Sequence, residues 1–523
     1  MSKKRKLTIE MESGNFVQQF GTIILEYWKL TLPLTILFIL YYHFTRTFNF
    51  FKKRGIDYLE PTVVIGNMGA NILGKQAFHD FQREIYNRFK KNGYGGVFLG
   101  RQPVLYITNP ELIKAVTIRD FEHFIDRYSL PSNEPLYFKR NLLNLKSGEW
   151  KGVRSIITPS FSSLRLKHML HLIENCSEQM VGLLNQFGNT EIEMKETMGR
   201  FTLEVIGACA FGIKSDSLTD ENARFVKVAE KYDHLPWPKR IGIFFILMFI
   251  PEALRFINIS FLHHETIEEL VKMLKKTKAE RKLSKTKHND FLQLLLDAAE
   301  KEREEVGNTQ SQIHLDEDTI DAQSLLFFIA GYETSSTLLS CAIFLMAVNP
   351  EFQDKLRAHV VEITKDKEIT YDVLSQLDYL EAFLLETLRM YPPIARIDRV
   401  CTKPYTLPGT SVKINVGEMI AVPLYGVHMD PDHYPDPEEF KPERFIRDGK
   451  LEKPSHLFLA FGAGPRNCIG LRFAMVSAKH AMVTVLKNFK FSTCSKTEYP
   501  IRIEETAPFF KAKAGLWVKV EKL

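Results

Sequence analysis

Most of the chain between residues 150 and 390 spaces its apolar side chains as amphipathic helices do. A charged example is ETIEELVKMLKKTKAERK at residues 265–282, in which apolar residues recur every three or four positions. The longest helical signal runs from Asp318 to Val348 and stops at Asn349-Pro350, because a residue before proline avoids helical backbone angles. This part of the sequence predicts a helical body.

Two other stretches, residues 61–130 and 395–425, favour strands. They contain GVFLGRQPVLYIT and VKINVGEMIAVPLYG, which are rich in β-forming residues and punctuated by glycine and proline. The polar run Lys301–Gln312 surrounds Gly307 and predicts a loop. Together these patterns predict an α+β fold that is mainly helical and carries smaller β-sheets.

The amino-terminal pattern differs, since residues 23–45 form one nearly uninterrupted apolar run. Its 23 residues exceed the roughly 20 that cross a bilayer as a helix, and Leu30–Thr45 carries no formal charge. We predict a tail and membrane anchor at residues 1–45, a linker at 46–60 and one large body at 61–523. The alternatives are a buried core helix and a cleaved signal peptide, and no small-residue cleavage site follows Leu40.

Basic residues do not fix the orientation of this anchor. Four precede it at positions 3–6 and four follow it at 46–54, so the positive-inside rule is tied. We expect the large body to face the cytosol, and we hypothesise that translation starts at Met11, which would remove the first four. A second apolar run, residues 241–250, is too short to span a bilayer. It predicts a segment at the membrane interface or, alternatively, a buried core segment.

Composition narrows the classes of function. Lysine and arginine total 69 against 63 aspartate and glutamate, a net charge of +6 on 523 residues. So mild an excess suits an anionic membrane or an acidic partner protein and does not call for nucleic acid. The six cysteines are scattered and form no CxxC pair, which argues against a disulfide scaffold or zinc site and indicates a reducing compartment.

One cysteine has a setting suited to chemistry. Cys468 ends the loop FGAGPRNC, where two glycines and a proline make the backbone turn tightly. The apolar helical pattern after Gly470 places the thiol near a helix amino terminus, where free N–H groups and the helix dipole stabilise a thiolate. Such a thiolate is a nucleophile or a metal ligand, and a buried structural thiol is the alternative.

The long central helix carries a thin patch beside two polar side chains. An otherwise bulky sequence is interrupted by small residues, namely Ala330, Gly331, Ser335 and Ser336. Glycine in a helix costs about 1 kcal/mol relative to alanine, and a planar ligand lying on the patch would explain it. Glu333 and Thr334 add an acid and a hydroxyl, and Thr334 can donate to the Ala330 carbonyl. A tolerated pair without any role is the alternative.

A third feature is an ion pair in an apolar helix. Within EAFLLETLRMYPP, Glu386 and Arg389 are spaced i, i+3 on one face among leucine and phenylalanine. So apolar a setting predicts a partly buried structural pair, in which removal of one partner would strand a charge. The motif ExxR is weak by itself.

Together these motifs resemble those of cytochrome P-450, a family of haem-thiolate mono-oxygenases. FGAGPRNCIG matches the haem-binding loop FxxGxRxCxG at every fixed position, AGYET matches the oxygen-activation motif and ETLR matches ExxR. KPERF at 441–445 and WKGVR at 150–154 match the PERF segment and WxxxR. The resemblance extends over roughly residues 60–523. Within the family, the sequence pattern is similar to that of microsomal arthropod enzymes of the detoxifying group.

The resemblance implies how haem b would be bound. Cys468 would be the axial ligand of the iron, in a loop where Phe461 packs against the sulfur and Gly470 lets the backbone wrap it. The haem propionates would be contacted by five side chains, those of Trp150, Arg154, Arg399, Arg466 and Arg127.

It also implies roles around the haem. Glu333 and Thr334 would relay protons to the dioxygen being activated. A structural network beneath the haem would comprise Glu386, Arg389 and Arg444. Substrate contacts are expected from residues 128–143, from the central helix and from the turn at 507–510, and the side chains expected to make them are Phe138, Phe327, Phe328, Ile394, Ala395 and Phe509.

The first functional hypothesis is insertion of one oxygen atom from O2 into small apolar molecules, either xenobiotics or endogenous lipids and terpenoids. Electrons would come from NADPH through a flavoprotein reductase at the endoplasmic reticulum membrane, with cytochrome b5 as a further partner. We expect the reductase to dock at Lys151, Arg472 and Lys479. The alternatives are a haem-thiolate isomerase or dehydratase acting on peroxides, and a non-catalytic haem carrier or gas sensor. Peroxide-rearranging relatives tend to lose the acid–alcohol pair, which is intact here.

Overall fold

The structure is a computed structural model that describes residues 29–129, 135–233, 246, 264–283, 288–306, 314–365, 367–452 and 454–523. It forms two compact units, the smaller from residues up to Gly69 together with Gly96–Pro103, the larger from Ala70–Gly95 and Val104–Leu523. Residues 3–6 and Met11 lie outside the described residues, as does the apolar run 241–250 apart from position 246.

In the smaller unit, residues 29–45 are helical and expose their apolar side chains as far as Tyr42. Phe38 is 68% exposed and Leu37 61%, an arrangement that suits a lipid-facing helix, and the anchor stays a prediction. Residues 46–60 fold rather than link, because their aromatic side chains supply a small core. Phe51 is 1% exposed and meets Phe98 edge to face at 5.2 Å.

The larger unit is mainly helical, as predicted. Its α-helices, apart from one-turn and irregular segments, are Phe78–Phe89, Pro110–Lys114, Ser147–Ile157, Ser163–Phe187, Met194–Ile206, Arg224–Asp233, His264–Leu283, Phe291–Val306, Glu317–Val348, Pro350–Thr364, Asp378–Met390, Leu424–His428 and Leu471–Asn488. Four-residue helices are Gly69–Ile72, Leu136–Lys139 and Tyr371–Leu374. The short 3-10 or π segments are Lys52–Arg54, Ala115–Arg119, Phe121–His123, Thr158–Phe161, Gly207–Phe211 and Pro442–Phe445, of which the first belongs to the smaller unit.

The strands form small sheets, and six of the eleven described strands lie in the two regions predicted from composition, 61–130 and 395–425. The strands are Tyr94–Leu99, Gln102–Ile107, Glu191–Glu193, Ile397–Val400, Tyr405–Thr406, Lys413–Ile414, Met419–Val422, Ile446–Arg447, Lys450–Leu451, Phe489–Ser492 and Trp517–Lys522. Met419–Val422 pairs in parallel with the strand ending at Ile107, through Val104–Tyr106, and antiparallel with Ile397–Val400. Trp517–Lys522 lies between two antiparallel partners, Phe489–Ser492 and Glu191–Glu193.

The helix Glu317–Val348, called here the central helix, organises the core of the larger unit. Its amino terminus is capped by the Asp316 carboxylate, which accepts from the Thr319 N–H, and it ends before Asn349-Pro350 as predicted. It packs against Met194–Ile206, Leu136–Lys139 and Asp378–Met390. Among the described residues it is long and apolar enough to cross a membrane, but 56% of its most apolar window is buried inside the protein, so it is a core helix.

The loop predicted at Lys301–Gln312 is not present over its first six residues. Lys301–Val306 continues the helix that starts at Phe291, because most of its charged side chains occupy the solvent face and Glu302 is buried with backbone partners. Glu302 is 8% exposed and its carboxylate accepts from the N–H groups of His314 and Leu315, both at 2.8 Å. Residues 307–313 lie outside the described ranges.

Candidate functional site

The loop Phe461–Gly470, called here the cysteine loop, is a tight turn that only glycine allows. Gly462 and Gly464 both have φ near +70°, and a Cβ on Gly464 would stand 1.7 Å from the Thr117 carbonyl oxygen. The Cys468 N–H donates to the Phe461 carbonyl at 2.8 Å. The helix Leu471–Asn488 starts directly afterwards, so the thiol stands at a helix amino terminus as the sequence predicts.

Cys468 differs from the other cysteines in being exposed, whereas Cys176, Cys209, Cys341 and Cys401 are buried. Desolvation by the surrounding protein nevertheless raises the pKa of the Cys468 thiol. The Gly470 N–H, Arg154 and Arg127 lower this pKa, but by less than desolvation raises it. The thiolate expected from the helix terminus alone is therefore not favoured in the free thiol. A coordinated metal ion deprotonates a thiol outright, so this environment suits a metal ligand better than an unassisted nucleophile.

A cluster of buried arginines lies close to this thiol. Burial, followed by repulsion from Arg127, lowers the pKa of both Arg399 and Arg466 to about 9. Arg399 is 2% exposed, and its Nη1 donates to the Asp398 carbonyl at 2.8 Å. Its Nε and Nη2 have no hydrogen-bond partner among the described residues. Buried, unpaired cationic donors call for an anionic group, and the two carboxylates of a haem fit that requirement.

The other side chains expected at the propionates also hold the cysteine loop. Arg466 donates to three backbone carbonyls, those of Ile125, Leu142 and Leu145, at 2.7–3.0 Å. Its guanidinium lies 4.2 Å above the ring of the buried Trp150. Arg154 donates to both oxygens of Asn467 at 3.0 and 3.1 Å, and Arg127 donates to the Arg466 carbonyl at 3.0 Å. Arg399 is thus the member of this group with the least satisfied guanidinium.

The small residues of the central helix have different surroundings. Thr334 Oγ1 donates to the Ala330 carbonyl at 2.7 Å, as predicted, and Ala330 is exposed in a helix whose flanks are buried. Gly331 serves a different purpose, because a Cβ there would lie 3.0 Å from Ile206 Cδ1. Glycine at 331 therefore lets the helix Met194–Ile206 approach, which is a second reason for a small residue here, and the planar ligand on the patch stays a prediction.

Glu333 and Thr334 point to different neighbours. Lys195 Nζ binds Glu333 Oε1 at 2.8 Å and also the hydroxyls of Ser336 and Thr337, both at 2.8 Å. Successive helical residues are about 100° apart around the axis, so the carboxylate faces the helix Met194–Ile206 while the Thr334 hydroxyl faces back along the central helix. No hydrogen bond joins the two side chains within the described contacts. Lys195 was not identified from the sequence.

The predicted ion pair is fully rather than partly buried. Arg389 binds both carboxylate oxygens of Glu386 at 2.7 and 2.9 Å, and both side chains are 0% exposed. Arg444 Nε and the Lys441 N–H also donate to Glu386 Oε1, at 3.1 and 3.0 Å. Three residues predicted to form a network, Glu386, Arg389 and Arg444, are therefore in direct contact.

The structure separates the aromatic side chains expected to contact substrate. Phe328 is 3% exposed and packs against Phe211 and Phe225, whereas Phe327 packs against Phe161 and Phe291. Phe327 lies seven residues, close to two full turns, before Thr334 and so shares its face of the central helix, whereas Phe328 is turned about 120° away. Ala330, four residues before Thr334, also lies on that face, and helical periodicity counted from Thr334 is the signal that identifies it.

The remaining substrate candidates also differ in their surroundings. Ala395 is 2% exposed and packs with Tyr425 and Met429, while its neighbour Ile394 is half-buried. Ala395 is therefore a core residue, whereas Ile394 keeps an accessible surface. Phe138 is half-buried in the short helix that packs against the central helix. Phe509 is 41% exposed.

One residue of the expected docking face is not on the surface. Lys479 is 4% exposed, forms an ion pair with Glu381 and donates to the Leu374 carbonyl at 3.0 Å. The helix Leu471–Asn488 is covered on that side by the segment Tyr371–Leu374, so Lys479 is a core residue. Arg472 is exposed, and Lys151 is exposed and paired with Glu122 at 2.7 Å.

Comparison with known proteins agrees with this site. The family described as Cytochrome P450 matches residues 58–517. The chain is 34% identical to Cytochrome P450 9e2 of Blattella germanica over 524 residues, covering 95% of this chain and 98% of that protein. It is 32% identical to Cytochrome P450 6a8 of Drosophila melanogaster (95% and 99% covered) and 33% identical to Cytochrome P450 3A5 of Homo sapiens (90% and 91%).

The chain therefore belongs to the cytochrome P450 family of haem-binding proteins. It is accordingly an oxidoreductase of the mono-oxygenase class.

Proposed function

We propose that this mono-oxygenase holds haem b through Cys468 and inserts one oxygen atom from O2 into small apolar molecules, taking electrons from NADPH through a flavoprotein reductase. The observation that carries the proposal is the accessible Cys468 thiol in its glycine turn. The charge of Arg127 acts both on this thiol and on the buried Arg399, whose Nε and Nη2 have no hydrogen-bond partner among the described residues. A ligand that satisfies both must offer a metal ion and an anionic group. Haem offers both.

The chain's own residues would bind and orient that group. Cys468 would supply the thiolate, which in this family donates electron density to the iron and favours cleavage of the O–O bond. Arg399 would bind a propionate through its free Nε and Nη2, while Arg127, Arg154 and Arg466 keep the loop in place. When bound, haem supplies the redox chemistry of dioxygen activation.

Proton delivery would fall to Thr334 and Glu333. The Thr334 hydroxyl is held by the Ala330 carbonyl, so an oxygen lone pair remains for a water molecule. Glu333 is held by Lys195 on the opposite side, and a proton passing from one residue to the other would require a water chain or a new rotamer of Glu333. This geometry supports a relay with water between the two residues rather than direct transfer.

The substrate would lie over Ile329 and Ala330, where the central helix is open. A small side chain at Ala330 leaves room for a bulky ligand, and the flanking side chains are apolar, which favours apolar substrates such as xenobiotics, lipids or terpenoids. Ile394, Phe138 and Phe509 remain candidates for further contacts.

For electron transfer we propose docking of an acidic reductase surface at Lys151 and Arg472, with cytochrome b5 as a second partner. Charge reversal of both residues to glutamate should raise the reductase concentration needed for half-maximal turnover, more strongly at low salt. Lys276→Glu is the matched control, since Lys276 is 79% exposed on a different helix. An equal response of the control would place docking elsewhere.

We further propose that the exposed apolar helix at 29–45 anchors the enzyme in the endoplasmic reticulum membrane with its larger unit in the cytosol. Deletion of residues 1–45 should move the protein from the microsomal pellet to the supernatant after carbonate washing. Retention in the pellet would transfer the anchoring role to other surfaces.

The ligand assignment is tested by the carbon-monoxide complex of the reduced enzyme. Cys468→Ala should abolish the absorption band of a thiolate-ligated haem together with all oxygenation, because no other described cysteine is exposed. Cys494→Ala is the matched control and should keep the band. If the band survives in Cys468→Ala, another residue is the ligand.

A further inference from the structure

A buried histidine lies between the Glu386–Arg389 pair and the cysteine loop. His428 ends the short helix Leu424–His428 and is 0% exposed. Its ring lies flat against Phe458, with ring centres 5.4 Å apart and an interplanar angle of 13°, and Tyr434 meets it edge to face at 6.1 Å. Neither the sequence motifs nor the mechanism above assigns it a role.

The hydrogen bonds of His428 fix its tautomer. The Leu459 N–H donates to His428 Nε2 at 2.8 Å, and a backbone N–H can only donate, so Nε2 carries no proton. Nδ1 must then carry it, and Nδ1 donates to the Arg389 carbonyl at 3.1 Å. Burial lowers the pKa of His428 to about 3, so this neutral form persists across the working pH range.

Arg389 closes the link from the other side. Its Nη1 donates to the His428 carbonyl at 2.9 Å while its other nitrogens bind Glu386. The helix that carries Glu386 and the residue His428 are therefore joined by two hydrogen bonds of opposite direction. The imidazole accepts the Leu459 N–H, so Leu459 is held in place relative to that helix.

Leu459 in turn precedes the turn that presents the thiol. Its carbonyl accepts the Gly462 N–H at 2.7 Å, and the Phe461 carbonyl accepts the Cys468 N–H at 2.8 Å. A displacement of Leu459 therefore moves the backbone at Phe461, to which the Cys468 N–H is bonded. Shifts on the order of 1 Å are enough to spoil a reacting geometry.

We propose that His428 is a positioning residue, which fixes the register of the cysteine loop by bridging the Arg389 carbonyl and the Leu459 N–H. The proposal rests on the proposed function, in which Cys468 ligates the haem iron. In this proposal the Glu386–Arg389 pair helps to position Cys468 through the hydrogen bonds of the imidazole, in addition to apolar packing.

Two variants separate hydrogen bonding from packing. His428→Phe keeps a flat ring against Phe458 but removes both hydrogen bonds. His428→Gln gives up the ring and keeps an amide oxygen that can accept from Leu459 and an amide N–H that can donate. His79→Phe is the control, because His79 is also 0% exposed and contacts a single carbonyl, that of Pro392.

Hydrogen exchange of the backbone around Leu459 reports the bridge directly, and the carbon-monoxide spectrum reports thiolate ligation. Both are measured on the haem-loaded enzyme. In His428→Phe we expect exchange at Leu459 to accelerate about tenfold, the equivalent of one lost hydrogen bond, and part of the spectrum to shift to that of haem without thiolate. His428→Gln and His79→Phe should keep both the protection and the thiolate band.

Unchanged exchange and an unchanged band in His428→Phe would overturn the proposal. So would loss of the band in His428→Gln to the same extent as in His428→Phe, since packing would then be the cause. If His428→Phe fails to fold, His428→Gln decides alone, and loss of protection in that variant counts against the bridge. Failure of the ligand assignment is distinguishable, because it shows as a thiolate band in Cys468→Ala while the exchange data still test the bridge.

Discussion

Replacement of Arg399 by leucine should have opposite effects on the protein with and without haem. Arg399 is 2% exposed, and two of its three guanidinium nitrogens have no hydrogen-bond partner among the described residues. A buried charge left this way is unfavourable until an anion binds it. Arg399→Leu removes both the unfavourable buried charge and the group that would bind the anion.

The magnitude follows from the pKa of Arg399, which burial lowers from 12.5 to about 9. At about 1.4 kcal/mol for each pH unit, keeping the side chain charged costs about 5 kcal/mol in the protein without a bound anion. Two charge-assisted hydrogen bonds to a propionate return about 1.5–3 kcal/mol each. Arg399→Leu should therefore stabilise the haem-free protein by several kcal/mol and weaken haem binding by about a hundredfold or more.

Haem binding is measured as the rate of haem transfer to excess apomyoglobin, and stability as urea unfolding of the haem-free protein. Arg396→Leu is the matched control, three residues earlier, where the guanidinium is 3.9 Å from Asp398 and contacts the Tyr106 hydroxyl. The control should change transfer by less than about threefold, as expected when no propionate contact is lost. Unchanged haem transfer in Arg399→Leu, or a less stable haem-free protein, would refute the reasoning.

Three further predictions concern turnover, substrate and acid stability. Thr334→Ala should keep the haem spectrum but lower the ratio of product formed to NADPH consumed, since water loses the hydroxyl that orders it; an unchanged ratio would move the relay elsewhere. Ala330→Phe should abolish substrate-induced spectral shifts, whereas Phe328→Ala should leave them in place, because the buried Phe328 is turned away from the face of Thr334. Three buried histidines stay neutral when folded, with pKa values lowered by burial from 6.5 to about 3–4, so the unfolded chain binds more protons below pH 6.5. Stability is then fully present above pH 6.5 and should fall by about 4 kcal/mol per pH unit between pH 6 and 5, which guanidinium unfolding measures. The three are His79, His428 and His480. His480→Leu should reduce the slope of stability against pH by a third, and an unchanged slope would contradict the view that these buried neutral histidines cause it.

The parts of the site that the sequence predicts correctly are those determined by neighbours in the chain. The turn at Cys468 follows from Gly462 and Gly464, whose positive φ angles are local requirements. The Glu386–Arg389 pair follows from helical spacing, which brings residues three apart onto one face. The end of the central helix follows from Asn349-Pro350. In each case no distant residue is needed to decide the outcome.

The errors arise where a distant segment decides the environment. Lys479 looks like a surface lysine in an amphipathic helix, but Glu381 and the Leu374 carbonyl bury it from another part of the chain. Lys195 lies 138 residues before the carboxylate that it binds, Glu333. Spacing within a helix says nothing about which helix will lie against it, so contacts of this kind become visible only with the fold.

The case of Gly331 shows that one sequence observation can have more than one physical cause. A glycine in the middle of a long helix requires a close approach by something, and a ligand and a neighbouring helix satisfy that requirement equally well. Ile206 provides the approach, at 3.0 Å from the position of a Cβ. The open surface belongs instead to Ala330, one residue earlier and about 100° around the axis. The Thr334 hydroxyl is held by the carbonyl of that same residue, so in the proposed mechanism the side chain at 330 would set both the space above the helix and the distance of a substrate from Thr334.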